Sequence, residues 1–233
     1  MNIVLKALAA AAAMVIALPA TAAAAPSLFG TAEFRAPSLQ ALPKWQKTLR
    51  RIERERSTYE ACSQAAEACP SPGAAAWQAM LRSQAGRPKM AQLRAVNAFL
   101  NDWQYKTDDR NYGRSDYWAT PLEFLRRSGD CEDYAIAKYV SLRQLGFSAD
   151  QLRIVVLQDV KRNLAHAVLA VYLNDQVYVL DNVTRAVLTQ EELPHYVPYY
   201  SINETTRWAH AAPADRAVAS AARRTSPAAS AQR

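Results

Sequence analysis

At Gly146 the spacing of apolar residues changes period, and that change limits the fold of this chain more than any other feature. Before it the spacing is helical. Leu42, Trp45, Leu49 and Ile52 share one face of a helix predicted over 38–56, and Trp77 and Leu81 mark a short helix over 74–82. Leu93, Val96, Leu100 and Trp103 repeat the pattern from Lys89 onward. Thr120-Pro121-Leu122-Glu123 starts another helix, with Thr as N-cap, Pro at the first position and Glu closing a capping box. That helix ends by Gly129, and a further one runs from Asp130 or Cys131 to Leu145. Beyond Gly146 the residues alternate and are β-branched over 152–157, 165–173 and 176–180, with Asn174-Asp175 as a hairpin turn between the last two. Helices first and an antiparallel sheet second predict one α+β domain.

The helix from residue 130 opens with Gly129-Asp130-Cys131-Glu132-Asp133-Tyr134, and only three histidines occur in the chain. One, His166, lies in the second predicted strand. If Asn174-Asp175 is the hairpin loop, Leu173 faces Gln176, and continuing the pairing puts Asp181 opposite Val168, two residues from His166. Side chains alternate with period 2, so His166 and Asp181 point to the same face as diagonal neighbours, ~7–8 Å apart at the backbone. A one-residue slip would separate them. Taken singly, each residue has a plainer reading: a satisfied strand histidine, a turn-capping aspartate, a buried helix cysteine. Together they supply a nucleophile, a base and an orienter.

A thiol in a helix's first turn gains from the positive end of the helix dipole and from a nearby imidazole. Asp130, Glu132 and Asp133 act against it, because carboxylates beside a thiolate raise its pKa. A solvated acidic helix start is one account of those acids. The other is a bound cation: carboxylates are hard oxygen ligands suited to calcium, and Asp116 upstream adds a further candidate. There is no His/Cys spacing for zinc and no EF-hand loop.

Bulk properties place the chain outside the cytoplasm. Lys6 followed by an apolar run from Ala7 to Leu18, Pro19 and the small residues Ala22-Ala23-Ala24 read as a signal peptide over 1–24. The run is short for a membrane span of ~20 residues, so no transmembrane segment is expected in the mature protein. The expected domain covers 25–210. Residues 211–233 are Ala, Ser, Pro and Arg with little to bury and read as a disordered basic tail. The net charge of +7 is not gathered around a base-reading motif, and export argues against nucleic acid. Three cysteines leave one over if Cys62 and Cys69, which flank a short polar segment, form a local disulfide; two free thiols are the alternative.

Asp116-Tyr117-Trp118-Ala119-Thr120-Pro121-Leu122-Glu123-Phe124-Leu125 and Gly129 to Tyr134 with Ala135-Ile136-Ala137-Lys138-Tyr139 resemble the bacterial transglutaminase-like cysteine proteinases, in particular LapG-type periplasmic proteases. The likeness extends through Leu142-Arg143-Gln144-Leu145-Gly146, the His166 strand, Leu180-Asp181-Asn182 and Pro198-Tyr199-Tyr200-Ser201-Ile202-Asn203. It implies a papain-like, transglutaminase-type fold and calcium-dependent endoproteolysis in the periplasm, with Cys131 as nucleophile, His166 as base and Asp181 as orienter. Asp130 and Glu132 are the foremost calcium ligands it implies, with Asp133 and Asp116 beside them. The implied substrate is the N-terminal region of a large surface adhesin, whose cleavage controls attachment and biofilm release. The implied partner is the periplasmic domain of an inner-membrane cyclic di-GMP receptor. Ala167 departs from the larger apolar residue often found after the family's histidine, and the tail matches no family motif. Two other functions stay open on the residues alone: a transglutaminase-type acyl transferase using the same three groups, and a non-catalytic periplasmic binding module.

Overall fold

The computed structural model describes residues 26–211, so the expected signal peptide and all but the first residue of the expected tail lie outside the described residues. The helices are α1 (Pro43–Arg54), α2 (Arg56–Gln64), α3 (Pro72–Gln84), α4 (Lys89–Leu100), α5 (Asp108–Tyr112), α6 (Pro121–Arg127) and α7 (Cys131–Gln144). The strands are β1 (Ala32–Ala36), β2 (Leu152–Asp159), β3 (Leu164–Leu173), β4 (Gln176–Leu180), β5 (Leu188–Thr189), β6 (Tyr196–Ile202) and β7 (Arg207–Ala211). They form one antiparallel sheet in the order β1-β7-β6-β2-β3-β4-β5. The fold is α+β, as the change of period requires. Among the described residues, no helix is long and apolar enough to cross a membrane.

The centre of the molecule is α7. Every residue from Asp133 to Leu142 is buried, because α4 and α6 pack on one side of the helix and β2 and β3 on the other. The main core lies between these layers, with Trp45, Trp77, Leu93, Leu100, Phe124 and Ile136 fully or almost fully buried. A smaller core on the far sheet face joins Val155, Leu157, Val168 and Val179 to Leu28, Phe29 and Leu193.

The β3–β4 hairpin has the register the turn predicts, from Leu173 opposite Gln176 to Leu169 opposite Leu180. Asn174 and Asp175 both have positive φ, 51° and 58°, as a two-residue type I′ turn needs. The helix predicted over 38–56 is divided instead. Pro43 starts α1, and the ladder is interrupted at Glu55, whose carboxylate accepts hydrogen bonds from Tyr59 Oη (2.5 Å) and Thr120 Oγ1 (2.7 Å). The sequence also hides β6, because Pro198 lies inside it. Pro198 is accommodated where the β2–β6 register shifts between Val156 and Leu157, a bulge that removes the need for its missing N–H. Cys62 and Cys69 are joined in a disulfide with Cα atoms 4.4 Å apart, and Cys131 is free.

Candidate active site

The α7 start is built by reciprocal hydrogen bonding. The Asp133 carboxylate accepts the N–H of Asp130 (3.3 Å) and that of Ala119 (2.6 Å), which ties the approach to α6 onto the first turn of α7. Gly129 is required by close approach: a Cβ there would collide with the Asp133 carboxylate. The helix therefore begins at one defined residue, and that residue is Cys131.

The Cys131 thiol lies near the backbone N–H of Ala167, whose dipole favours the thiolate, so it sits beside the residue that follows His166. Its other neighbour is the Glu132 carboxylate, with Sγ 3.2 Å from Oε2. Burial pushes the thiol pKa up, Glu132 and Asp130 push it further, and the Ala167 N–H opposes them.

His166 is buried at 4 % exposure, and its Nε2 is 2.8 Å from Asp181 Oδ1. Asp181 also accepts the Val183 N–H (3.1 Å) and, on Oδ2, the Tyr196 hydroxyl (2.5 Å). Burial alone would raise the Asp181 pKa; the His166, Tyr196 and Val183 hydrogen bonds outweigh it and hold the carboxyl below its usual range. An ionised carboxylate only accepts, so Nε2 carries a proton, and in the neutral ring Nδ1 is the nitrogen left as acceptor. The loop after Asp181 is pinned from α4: Asn101 Nδ2 donates to the carbonyls of Asp181 and Thr184 (both 2.7 Å), and Asn97 Nδ2 to those of Thr184 and Arg185 (3.0 and 3.1 Å).

The acids divide into two sets. Asp108, Asp130 and Glu132 each place an oxygen within 4.8 Å of the others. Asp133 and Asp116 do not join them. Asp133 is spent on backbone N–H groups inside the fold, and Asp116 is exposed, ion-paired with Lys44 and bonded to the Trp118 indole (3.1 Å). Burial raises the pKa of Asp108, and burial with Glu132 and Asp133 pushes Asp130 up to about 10. One buried oxygen of Asp108 and one of Asp130 have no hydrogen-bond partner. Crowded, oxygen-only and with two buried oxygens unpartnered, this set fits a hard divalent cation.

Asp108, Tyr196, Asn97 and Asn101 escape a sequence reading. Thr107-Asp108-Asp109 looks like any acidic helix start, and only the folded loop carries Asp108 beside Asp130. Lys138 leaves a clearer mark, as a lone charge inside the run Ala135-Ile136-Ala137-Lys138-Tyr139-Val140.

A thiol at a helix start against a strand that carries a carboxylate-bound histidine is the arrangement of transglutaminase-like cysteine proteinases. The model of the bacterial transglutaminase-like cysteine proteinase family matches residues 52–216, and the chain belongs to that family. It is a cysteine proteinase with a transglutaminase-like fold. Among solved structures it is similar to LapG of Legionella pneumophila, 33 % identical over 65 % of this chain and 85 % of that one, with a TM-score of 0.58. The calcium-bound form of Legionella pneumophila LapG is 30 % identical, with 72 % and 92 % covered and a TM-score of 0.56. An EGTA-treated form is 32 % identical, with 66 % and 86 % covered and a TM-score of 0.59. No curated protein sequence gives a significant match.

Proposed function

We propose that this chain is a calcium-dependent periplasmic cysteine endopeptidase that cleaves the N-terminal region of a large surface adhesin, and so controls attachment and biofilm release. The observation that carries the chemistry is the 2.8 Å bond between His166 and Asp181, with the Cys131 thiol held against the next residue of the same strand.

Nδ1 of His166 takes the Cys131 proton, and the thiolate attacks the scissile carbonyl carbon. The first-turn N–H groups of Cys131 and Glu132, which the helix cannot use internally, are the donors for the oxyanion. The imidazolium returns its proton to the leaving amine, and a thioester remains on Cys131. Water, deprotonated by His166, then releases the acid and restores the thiol. Asp181 stays ionised and fixes the ring, with Tyr196 and Val183 fixing Asp181.

Asp108, Asp130 and Glu132 are the residues proposed to hold calcium, which would supply positive charge to offset the acids beside the thiolate. Support comes from the two unpartnered oxygens and from the calcium-bound state of the similar Legionella protein. The adhesin, the cyclic di-GMP receptor as regulatory partner and the periplasmic location rest on the resemblance carried by the motifs from Asp116 to Asn203.

The test is incubation of the pure protein with an exported proteome, with and without chelator, followed by sequencing of new N-termini. New termini on one large surface protein are expected, absent with Cys131→Ala or chelator. Turnover by Cys131→Ala near the wild-type rate would end the thiol mechanism. Amine incorporation without new termini would assign acyl transfer instead.

A further inference from the structure

Lys138 is a charged side chain with no exposure at all, and its Nζ has no hydrogen-bond partner. Lysine is almost never fully buried unless paired, and each orphaned buried donor calls for a reason. Its position supplies one. Seven residues bring an α-helix back to nearly the same face, so Lys138 lies in line with Cys131, about 10 Å further along α7. Its ammonium lies over the Tyr134 ring, 5.7 Å from the centroid. The charge that reaches it is that of Asp181.

Tyr134 belongs to α7 itself, and its hydroxyl is spent on the Trp103 carbonyl. Asp181 follows β4, with His166 of β3 and Tyr196 of β6 bonded to it, and Arg162 in the β2–β3 turn also feels its charge. From α4, the neutral amides of Asn97 and Asn101 hold the loop that begins at Asp181. Burial lowers the Lys138 pKa to about 7, against the pull of Asp181. The amine therefore changes charge near neutral pH.

We propose that Lys138 is a positioning residue of the hydrolytic site: its fully buried, unpartnered amino group, on the face of α7 that carries Cys131, is a counter-charge to Asp181 and keeps the carboxylate fixed on His166 while the imidazole gains and loses its proton. The proposal rests on the roles given above to His166 and Asp181. It explains why a residue that burdens the core is present where methionine would fill the same space.

The experiment compares wild type with Lys138→Met. With three histidines in the chain, the imidazole signals can be followed separately by NMR. The His166 midpoint should rise in the variant, because a positive charge that disfavours the imidazolium is gone. His195 and His210 should stay in place. The variant should melt no lower than wild type, and kcat should fall about tenfold with KM nearly unchanged. A folded variant with unaltered kcat and an unmoved His166 midpoint would overturn the proposal.

A second measurement does not require Lys138→Met to fold. In wild type and Asp181→Asn, the Lys138 side chain is titrated by NMR of isotope-labelled lysine. Its midpoint should fall when the Asp181 charge is removed, and an unchanged midpoint would overturn the proposal. If wild type shows this coupling but cleaves no protein, the endopeptidase reading fails and the charge coupling stands.

Discussion

Supplying or withholding calcium at the Asp108–Asp130–Glu132 group is the most direct perturbation of the proposed site, and its expected size can be worked from the structure. Their oxygens lie within 4.8 Å of one another, so each ionised pair repels by roughly 3.5 kcal/mol at an effective dielectric of ~20. The metal-free protein avoids this by keeping a proton. Asp130 sits at about 10 in the fold, against an ordinary value of 3.8. Folded protein thus holds a proton that the unfolded chain has released, and this group's contribution to stability falls as pH rises from the lower value to the higher. Calcium at the proposed site would replace that proton, so its stabilising effect should grow with pH across the same window. At a free concentration 100 times its dissociation constant the gain is about 2.7 kcal/mol. For a domain of this size that is about 5–10 °C in Tm.

The assay is a melt followed by fluorescence of the five tryptophans, in calcium or chelator, at pH 7.5 and pH 4.5. The calcium increment should be present at pH 7.5, nearly gone at pH 4.5, and smaller with magnesium, which demands a tighter shell. Asp108→Asn can still accept the Tyr117 N–H while losing its charge. It should keep a clearly smaller increment, one of three charged ligands being lost. In chelator it should melt no lower than wild type, since one repulsion is gone. A full calcium increment in Asp108→Asn, or no increment in wild type, would refute the ligand set.

Tyr196→Phe removes the hydroxyl from Asp181 Oδ2 and leaves a buried carboxylate oxygen short of a donor. A loss of about 1–3 kcal/mol in denaturant titration is expected, with a lower kcat; equal stability and rate would show that Tyr196 only packs. The Cys62–Cys69 disulfide closes a short loop, so the Cys62→Ser/Cys69→Ser double variant should lose about 2.5 kcal/mol while its rate per folded molecule stays the same. Loss of activity in folded double variant would tie that loop to the site.

What the sequence by itself determined is local. The β3–β4 register followed from a two-residue turn, and because strand side chains alternate, the same turn set His166 and Asp181 on one face. The α6 cap was legible for the same reason: a capping box joins residues three apart, and no distant group decides it. What only the tertiary structure decided depends on segments far apart in the chain. Asp108 meets Asp130 because the loop after α4 folds back beside the start of α7, whereas Asp133 and Asp116, equally acidic in sequence, are taken up by backbone N–H groups and by Lys44. Tyr196 reaches Asp181 from a strand that a proline conceals, and Asn97 and Asn101 reach the same loop from a helix whose spacing shows only its apolar face. Carboxylates, amides and hydroxyls look alike along a chain, and burial and the neighbour each one meets assign its task.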